Sequence, residues 1–193
     1  MIESRAIMRF ESDEALMEAV SYGRKDAFNV LVDRYMPIVS RTTFRILCDQ
    51  ADSDVVTQAV FRKVWKKASG FDGRTTLSVW IYGITSRLCL WRLHLRKFPG
   101  ILSLPQSVYE TSSPEPLFPE EDYVTKEAWE IFCRASLEMT PSQRVVFALC
   151  ELEGLSVEDL QTVTGLSAER IKDNLSIARN KVRSELEAYG KVR

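Results

Sequence analysis

The sequence is poor in the residues that build most active sites and metal centres. Its one histidine, His94, has only a single cysteine near it in sequence, Cys89. The four cysteines, Cys48, Cys89, Cys133 and Cys150, are far apart, and no Cys-x-x-Cys pair occurs. Zinc-ligand spacing is therefore missing. A chain of 193 residues with 45% hydrophobic residues has no need of a disulfide framework. The thiols are read as reduced and mostly buried. Glycine-rich phosphate loops are absent, as is any serine-histidine-acid set, so the chain is not read as an enzyme and no cofactor or metal is expected. No apolar run approaches the roughly 20 residues that a membrane-spanning helix needs. The start, Met1 to Arg5, has an acidic residue and no apolar core, unlike a signal peptide. These absences together point to a cytoplasmic protein with no membrane insertion. Sustained two-residue alternation is missing too, and with it the signature of strands.

Charge is present but unevenly placed. The net of −1 divides into 16 Lys/Arg against 11 Asp/Glu over residues 1–97, 2 against 8 over 98–139, and 8 against 8 over 140–193. A basic front half beside an acidic middle suits a module that meets a polyanion. Five of the seven prolines fall between Pro99 and Pro119. Proline removes a backbone donor and restricts the residue before it, so no regular helix survives there. The segment 98–122 is read as a linker between a unit spanning 1–97 and one spanning 123–193.

Helical periodicity flanks the linker. Ala27, Phe28, Leu31, Val32 and Tyr35 share one face of a helix over 25–36. Val55, Val56, Ala59, Val60 and Val64 do the same over 52–67. That helix ends in Arg62, Lys63, Lys66 and Lys67, where cations complement the dipole. Gly70 to Gly73 breaks the chain, and a third helix is expected from about Ser78 to Lys97. After the linker, Thr140-Pro141-Ser142-Gln143 forms a capping box with proline in the first turn. The helix it opens is expected to run to Glu153 and stop at Gly154. Ser156 caps a short helix over Val157 to Val163. Gly165 makes a tight turn, and Ser167 caps a longer helix whose stripe is Ile171, Leu175, Ala178 and Val182. Two capped helices around a glycine turn make a helix-turn-helix unit, with the second helix placed to enter a DNA major groove. The fold class is all-α, as two small helical domains.

The third helix interleaves Trp80, Tyr82 and Trp91 with Arg87, Arg92, Arg96 and Lys97. Aromatic faces stack on unpaired bases while cations follow the backbone. Trp80 and Ile84 are expected in the core, and Arg92, Arg96 and Lys97 on the surface.

Four segments carry a resemblance to a known family. Asp26 to Tyr35 (DAFNVLVDRY) resembles the opening helix of region 2 in the extracytoplasmic-function (ECF) class of bacterial sigma factors. Ala51 to Trp65 (ADSDVVTQAVFRKVW) resembles the segment that docks on the core RNA polymerase clamp. Leu77 to Ile84 (LSVWIYGI) resembles the promoter-melting segment. Thr140 to Leu160 (TPSQRVVFALCELEGLSVEDL) resembles region 4, and the match continues through Lys172 and Ala178-Arg179. The resemblance implies a transcription initiation factor with no chemistry of its own. Region 2 would bind the clamp and open the −10 element, region 4 would bind the −35 element and the polymerase flap, and the linker would thread toward the RNA exit path. By position, Asp52, Asp54, Gln58 and Phe61 would face the clamp. Trp80, Arg87, Trp91, Arg92 and Arg96 would meet the −10 element, and Arg170, Lys172, Asn174 and Arg179 the −35 element. An anti-sigma factor would be a further partner.

Departures from the family pattern fall at Val55, Thr57, Arg87, Trp91, Asp173-Asn174 and Ile177. Two explanations stay open. One is a divergent sigma factor with an unusual promoter, which retains Gln58, Phe61 and Trp80. The other is a sigma-like decoy that binds an anti-sigma factor rather than promoter DNA, with an exposed Ile177 at the interface. A plain helix-turn-helix repressor leaves the first 97 residues without a role.

Overall fold

The structure, a computed structural model, describes residues 12–96 and 123–192. Lys97, the proline-rich segment 98–122 and the N-terminal residues 1–11 lie outside them. Every regular element among the described residues is a helix.

α1 (Asp13–Ser21) opens on Ser12, whose hydroxyl accepts the Ala15 N–H at 3.2 Å. It buries Leu16, Met17 and Val20. Asp13 accepts hydrogen bonds from Arg34 Nη1 at 2.7 Å and Tyr35 Oη at 2.5 Å, fixing α1 on its neighbour. That neighbour is α2 (Lys25–Leu47), longer than the 25–36 stretch legible in sequence. It continues through Pro37, which is exposed. α2 stops at Cys48, a left-handed residue with φ 50°. α3 (Gln50–Lys67) is capped by Asp49, which accepts the Asp52 N–H at 2.8 Å, and runs into a short 3-10 turn over Ala68–Gly70. α4 (Leu77–Arg96) follows a loop. Every residue of α4 from Ile81 to Ser86 is buried. A helix buried on consecutive positions is enclosed on all sides. The enclosed hydroxyls of Thr85 and Ser86 donate to the carbonyls of Ile81 and Gly83 at 2.9 and 3.4 Å, which satisfies them within the helix.

The second half begins with α5 (Tyr123–Leu137). α6 (Pro141–Phe147) carries the expected capping box, with Thr140 Oγ1 accepting from Gln143 N at 3.3 Å and Gln143 Oε1 from Thr140 N at 3.0 Å. The expected single helix to Glu153 is corrected at this point: from Ala148 to Leu152 the chain widens into a π turn, and Gly154 then turns it with φ 76°. α7 (Val157–Thr164) ends at Gly165 with φ 73°, and α8 (Ala168–Val192) begins behind Ser167. Ile171, Leu175 and Ala178 are buried, and Val182 packs against the same core.

The two halves share one core. α4 packs against α6 and α7, and α2 packs against the π turn. Stacked aromatics continue across the boundary, from Phe44 on α2 to Trp129 on α5 at 5.0 Å, then to Phe132 at 5.2 Å and Phe147 at 5.3 Å. No described helix is long and apolar enough to cross a membrane.

Candidate polymerase and nucleic-acid surfaces

Three surfaces and one buried junction emerge from this packing. The first surface is an apolar groove of about 640 Å³ between α2 and α3. Phe28, Val32 and Met36 line one wall, and Gln58, Phe61, Arg62 and Trp65 the other. Trp65 meets Phe28 edge-on at 4.8 Å. Gln58 is exposed on the rim, and Phe61 is 5% exposed. Asp54 stands near the start of α3 and accepts a hydrogen bond from Gln50 at 2.8 Å. Asp52 does not join this surface. Its carboxylate turns inward to α4 and is held by Arg92 and by Arg96, the latter through Nε at 2.7 Å. Burial alone would push the Asp52 carboxyl up, but hydrogen bonds from Arg92 and Arg96 outweigh it and hold the group below the usual carboxylate range.

The second surface is the outer stripe of α4. Trp80, Arg87 and Trp91 stand at i, i+7 and i+11, one helix face. Arg87 is exposed and Trp91 is 44% exposed. Trp80 is half-buried against Phe71, ring edge to face at 5.6 Å. Arg96 is exposed, as expected of a surface cation, and Arg92 is half-buried; both are ion-paired with Asp52, and Arg96 Nη1 also donates to the Leu47 carbonyl at 3.0 Å. They tie α4 to α3, because a guanidinium fork spans two acceptors.

The third surface is the start of α8. Arg170, Lys172 and Asp173 are exposed, and Ile177 is 44% exposed. Asn174 donates to the Arg170 carbonyl at 2.7 Å, and Arg179 is paired with Glu151 of the π turn at 2.6 Å. The four residues share one helix, but Arg179 is tethered two turns beyond the others.

The junction was not legible beforehand. Glu153, at the end of the π turn, has a fully buried carboxylate. It accepts from Arg41 Nη2 at 2.8 Å, Arg45 Nη1 at 2.8 Å and Tyr82 Oη at 3.1 Å. Arg45 Nη1 also donates to the Leu152 carbonyl. Burial, then the nearby Glu153 charge, pushes the Tyr82 hydroxyl up to about 12. One carboxylate from the second half thus holds α2 and α4 of the first. Among the described residues no cluster of histidine, cysteine and carboxylate side chains is placed to hold a metal ion.

The profile of Sigma-70 region 2 matches residues 31–97, the stretch from α2 through α4. The ECF RNA polymerase sigma-E factor of Haemophilus influenzae is 26% identical over 182 residues, covering 91% of this chain and 96% of that protein. Over most of its length the chain is similar to sigma factors of the ECF class. A second relative, the RNA polymerase sigma-H factor of Pseudomonas aeruginosa, is 26% identical over 190 residues, covering 92% of this chain and 95% of its own. Among solved structures, CnrH in complex with the cytosolic domain of CnrY has the same fold, with a TM-score of 0.65 at 20% identity over 91% of this chain and 97% of that one. The sigma factor RpoE of Bartonella quintana, solved with the anti-sigma factor NepR, has a TM-score of 0.59 at 17% identity, covering 83% of this chain and 96% of that one.

Proposed function

We propose that this sigma factor directs core RNA polymerase to a promoter. Residues 1–97 would seat on the polymerase clamp and take the −10 element, 98–122 would link, and 123–193 would take the −35 element. The observation that carries the reading is the open apolar groove between α2 and α3, rimmed by Gln58 and floored by Phe61, on the stretch that matches Sigma-70 region 2. An apolar groove with a few polar rim groups is the form that a helical partner surface fills. Asp54, Gln58 and Phe61 serve the clamp. Trp80, Arg87 and Trp91 form the −10 stripe, where exposed indole and guanidinium suit an unstacked strand. Asp52, Arg92 and Arg96 position α4 under that stripe. Arg170, Lys172 and Asn174 take the −35 element, with Arg179 at its edge. No group of the chain performs catalysis in this scheme. The sigma factor RpoE, which has the same fold, is solved as a complex with the anti-sigma factor NepR, and a similar partner is proposed here. The decoy reading is not favoured, since the relatives matched along nearly their whole length are sigma factors.

The test is fluorescence anisotropy of the labelled full-length chain with core RNA polymerase from its host. Gln58→Arg and Trp65→Ala should each weaken binding by at least about tenfold, the scale of one lost interface anchor. Unchanged affinity in both folded variants refutes the groove assignment.

A further inference from the structure

Of the four thiols, three are part-exposed and only Cys89 is buried, which corrects the expectation of mostly buried cysteines. Two of the three meet across the boundary between the halves. Cys48 ends α2, and its sulfur meets α5 at Ser136, one helical turn from Cys133. The Ser136 hydroxyl is 3.5 Å from Cys48 Sγ and also donates to the Cys133 backbone carbonyl at 2.7 Å. Cys48 also occupies the one left-handed non-glycine position among the described residues, where glycine or asparagine fits at lower strain.

A second observation points to an anion at this spot. Arg144 is 7% exposed, yet no carboxylate pairs with it among the described residues. Its Nη2 donates to the Ser136 carbonyl, and its buried Nε has no partner. A buried guanidinium without a counter-charge is expensive. The anionic form of the neighbouring cysteine pair is the group that supplies one. Consistent with this, the hydrogen bond from Cys133, then that from Ser136 and the charges of Arg144 and Arg96, bring the Cys48 thiol below its usual range against the effect of burial. Burial pushes Cys89 and Cys150 the other way.

We propose that Cys48 and Cys133 are a reversible thiol–disulfide switch, oxidised by a hydroperoxide, whose bridge pins the two halves of the sigma factor together. The Cys48 thiolate attacks the hydroperoxide oxygen. The S–O bond forms, the O–O bond breaks, and the departing oxygen takes up the proton lost by Cys48 to leave as alcohol or water. The Cys133 sulfur then attacks the Cys48 sulfur. The S–O bond breaks, and hydroxide leaves with the Cys133 proton as water. Two thiols lose two electrons, and the hydroperoxide gains them. To close the bridge the two sulfurs approach to about 2.05 Å. Exchange with a small dithiol reverses it. In a reducing compartment such bonds are transient and serve as sensors.

The test is peroxide treatment of the reduced full-length chain, followed by thiol counting and peptide mapping of the monomer. Loss of two thiols per chain, a Cys48–Cys133 linked peptide and recovery with dithiothreitol are expected. Cys150→Ser should leave all three results unchanged. With Cys133→Ser the linked peptide disappears, and Cys48 stops at the sulfenic acid. Iodoacetamide should label Cys48 on the order of 10-fold faster than Cys150 at neutral pH, as expected of a thiolate. A folded, peroxide-treated chain in which Cys133 stays free overturns the proposal. So does one that bridges another pair or bridges only between molecules. These readouts are chemical, so they are independent of the polymerase assay. That bridging silences promoter use rests on the sigma reading, and failure of polymerase binding by the reduced chain would count against that reading alone.

Discussion

Replacing Glu153 by glutamine tests whether the closed packing of the halves is held by one carboxylate. The −10 and −35 elements are separated by about 25 base pairs, roughly 85 Å at 3.4 Å per base pair. In the proposed reading α4 meets the −10 element and α8 the −35 element; with α4 packed on α7, the helix that leads into α8, the two cannot be reached at once, and promoter binding would require the halves to separate. Glu153 accepts charge-assisted bonds from Arg41 and Arg45 and a further bond from Tyr82. Hydrogen bonds to charged groups contribute about 1.5–3 kcal/mol each. The sum is not recovered in full, because Arg41 and Arg45 keep 43% and 25% of their side chains in solvent and rehydrate when released. Glutamine also retains one acceptor. A net loss of about 2–3 kcal/mol, roughly a 30- to 150-fold shift toward the open form, follows. Small-angle scattering should show a larger radius of gyration for Glu153→Gln than for the parent. Hydrogen exchange should speed up at the amides of α4 over 81–86. A double-mutant cycle with Arg41→Gln should give a coupling of about 1 kcal/mol or more. An unchanged radius and unchanged exchange would refute the latch.

Three further outcomes follow from the same contacts. Asp52 has a depressed carboxyl pKa, so its pairing stabilises the fold above the unfolded value of about 3.9 and is lost as pH falls through the folded value. Asp52→Asn should therefore lower the urea midpoint at pH 7, and the gap from the parent should narrow as pH falls below about 3.9. Thr140→Ala removes one side of the α6 capping box and should destabilise by about 1 kcal/mol in chemical denaturation. Asp173→Arg combined with Ile177→Arg adds cations to the exposed start of α8 and should raise DNA affinity with a steeper salt dependence. Binding curves at two salt concentrations with neither gain nor steeper slope would refute the phosphate argument.

Sequence legibility followed the range of the interaction. Caps at Thr140, Ser156 and Ser167 and the turn at Gly165 were readable because each is completed within three or four residues. The helical stripes of α2, α4 and α8 were readable from their period, and that of α3 in part: Val56, Val60 and Val64 are buried, but Val55, expected on the same face, is 42% exposed. α1 escaped, being nine residues long with three buried side chains. α5 was not separated from the acidic middle of the chain. The π turn left no signal, since Ala148 to Leu152 fits an α-helical pattern equally well. The pairing of Asp52 with Arg92 and Arg96 spans 40 and 44 residues, and that of Glu153 with Arg41 spans 112. No local pattern encodes such partners, so cations that read as solvated turned out to be structural. Gln58 and Phe61 were assigned to the clamp by resemblance alone, while Phe28 and Val32, which line the same groove, read only as one face of a helix.

The enclosure of α4 bears on the protein's fate in the cell. Its buried run from Ile81 to Ser86 is covered in part by α7, close enough that Val163 Cα stands 4.0 Å from where a Gly83 Cβ would lie. Each opening event lays that apolar seam bare. An open chain that meets neither polymerase nor an inhibitor exposes a face that other chains and quality-control proteases can recognise. Supply of partner would then set the lifetime of the factor as well as its activity, and surplus copies would survive best by staying shut.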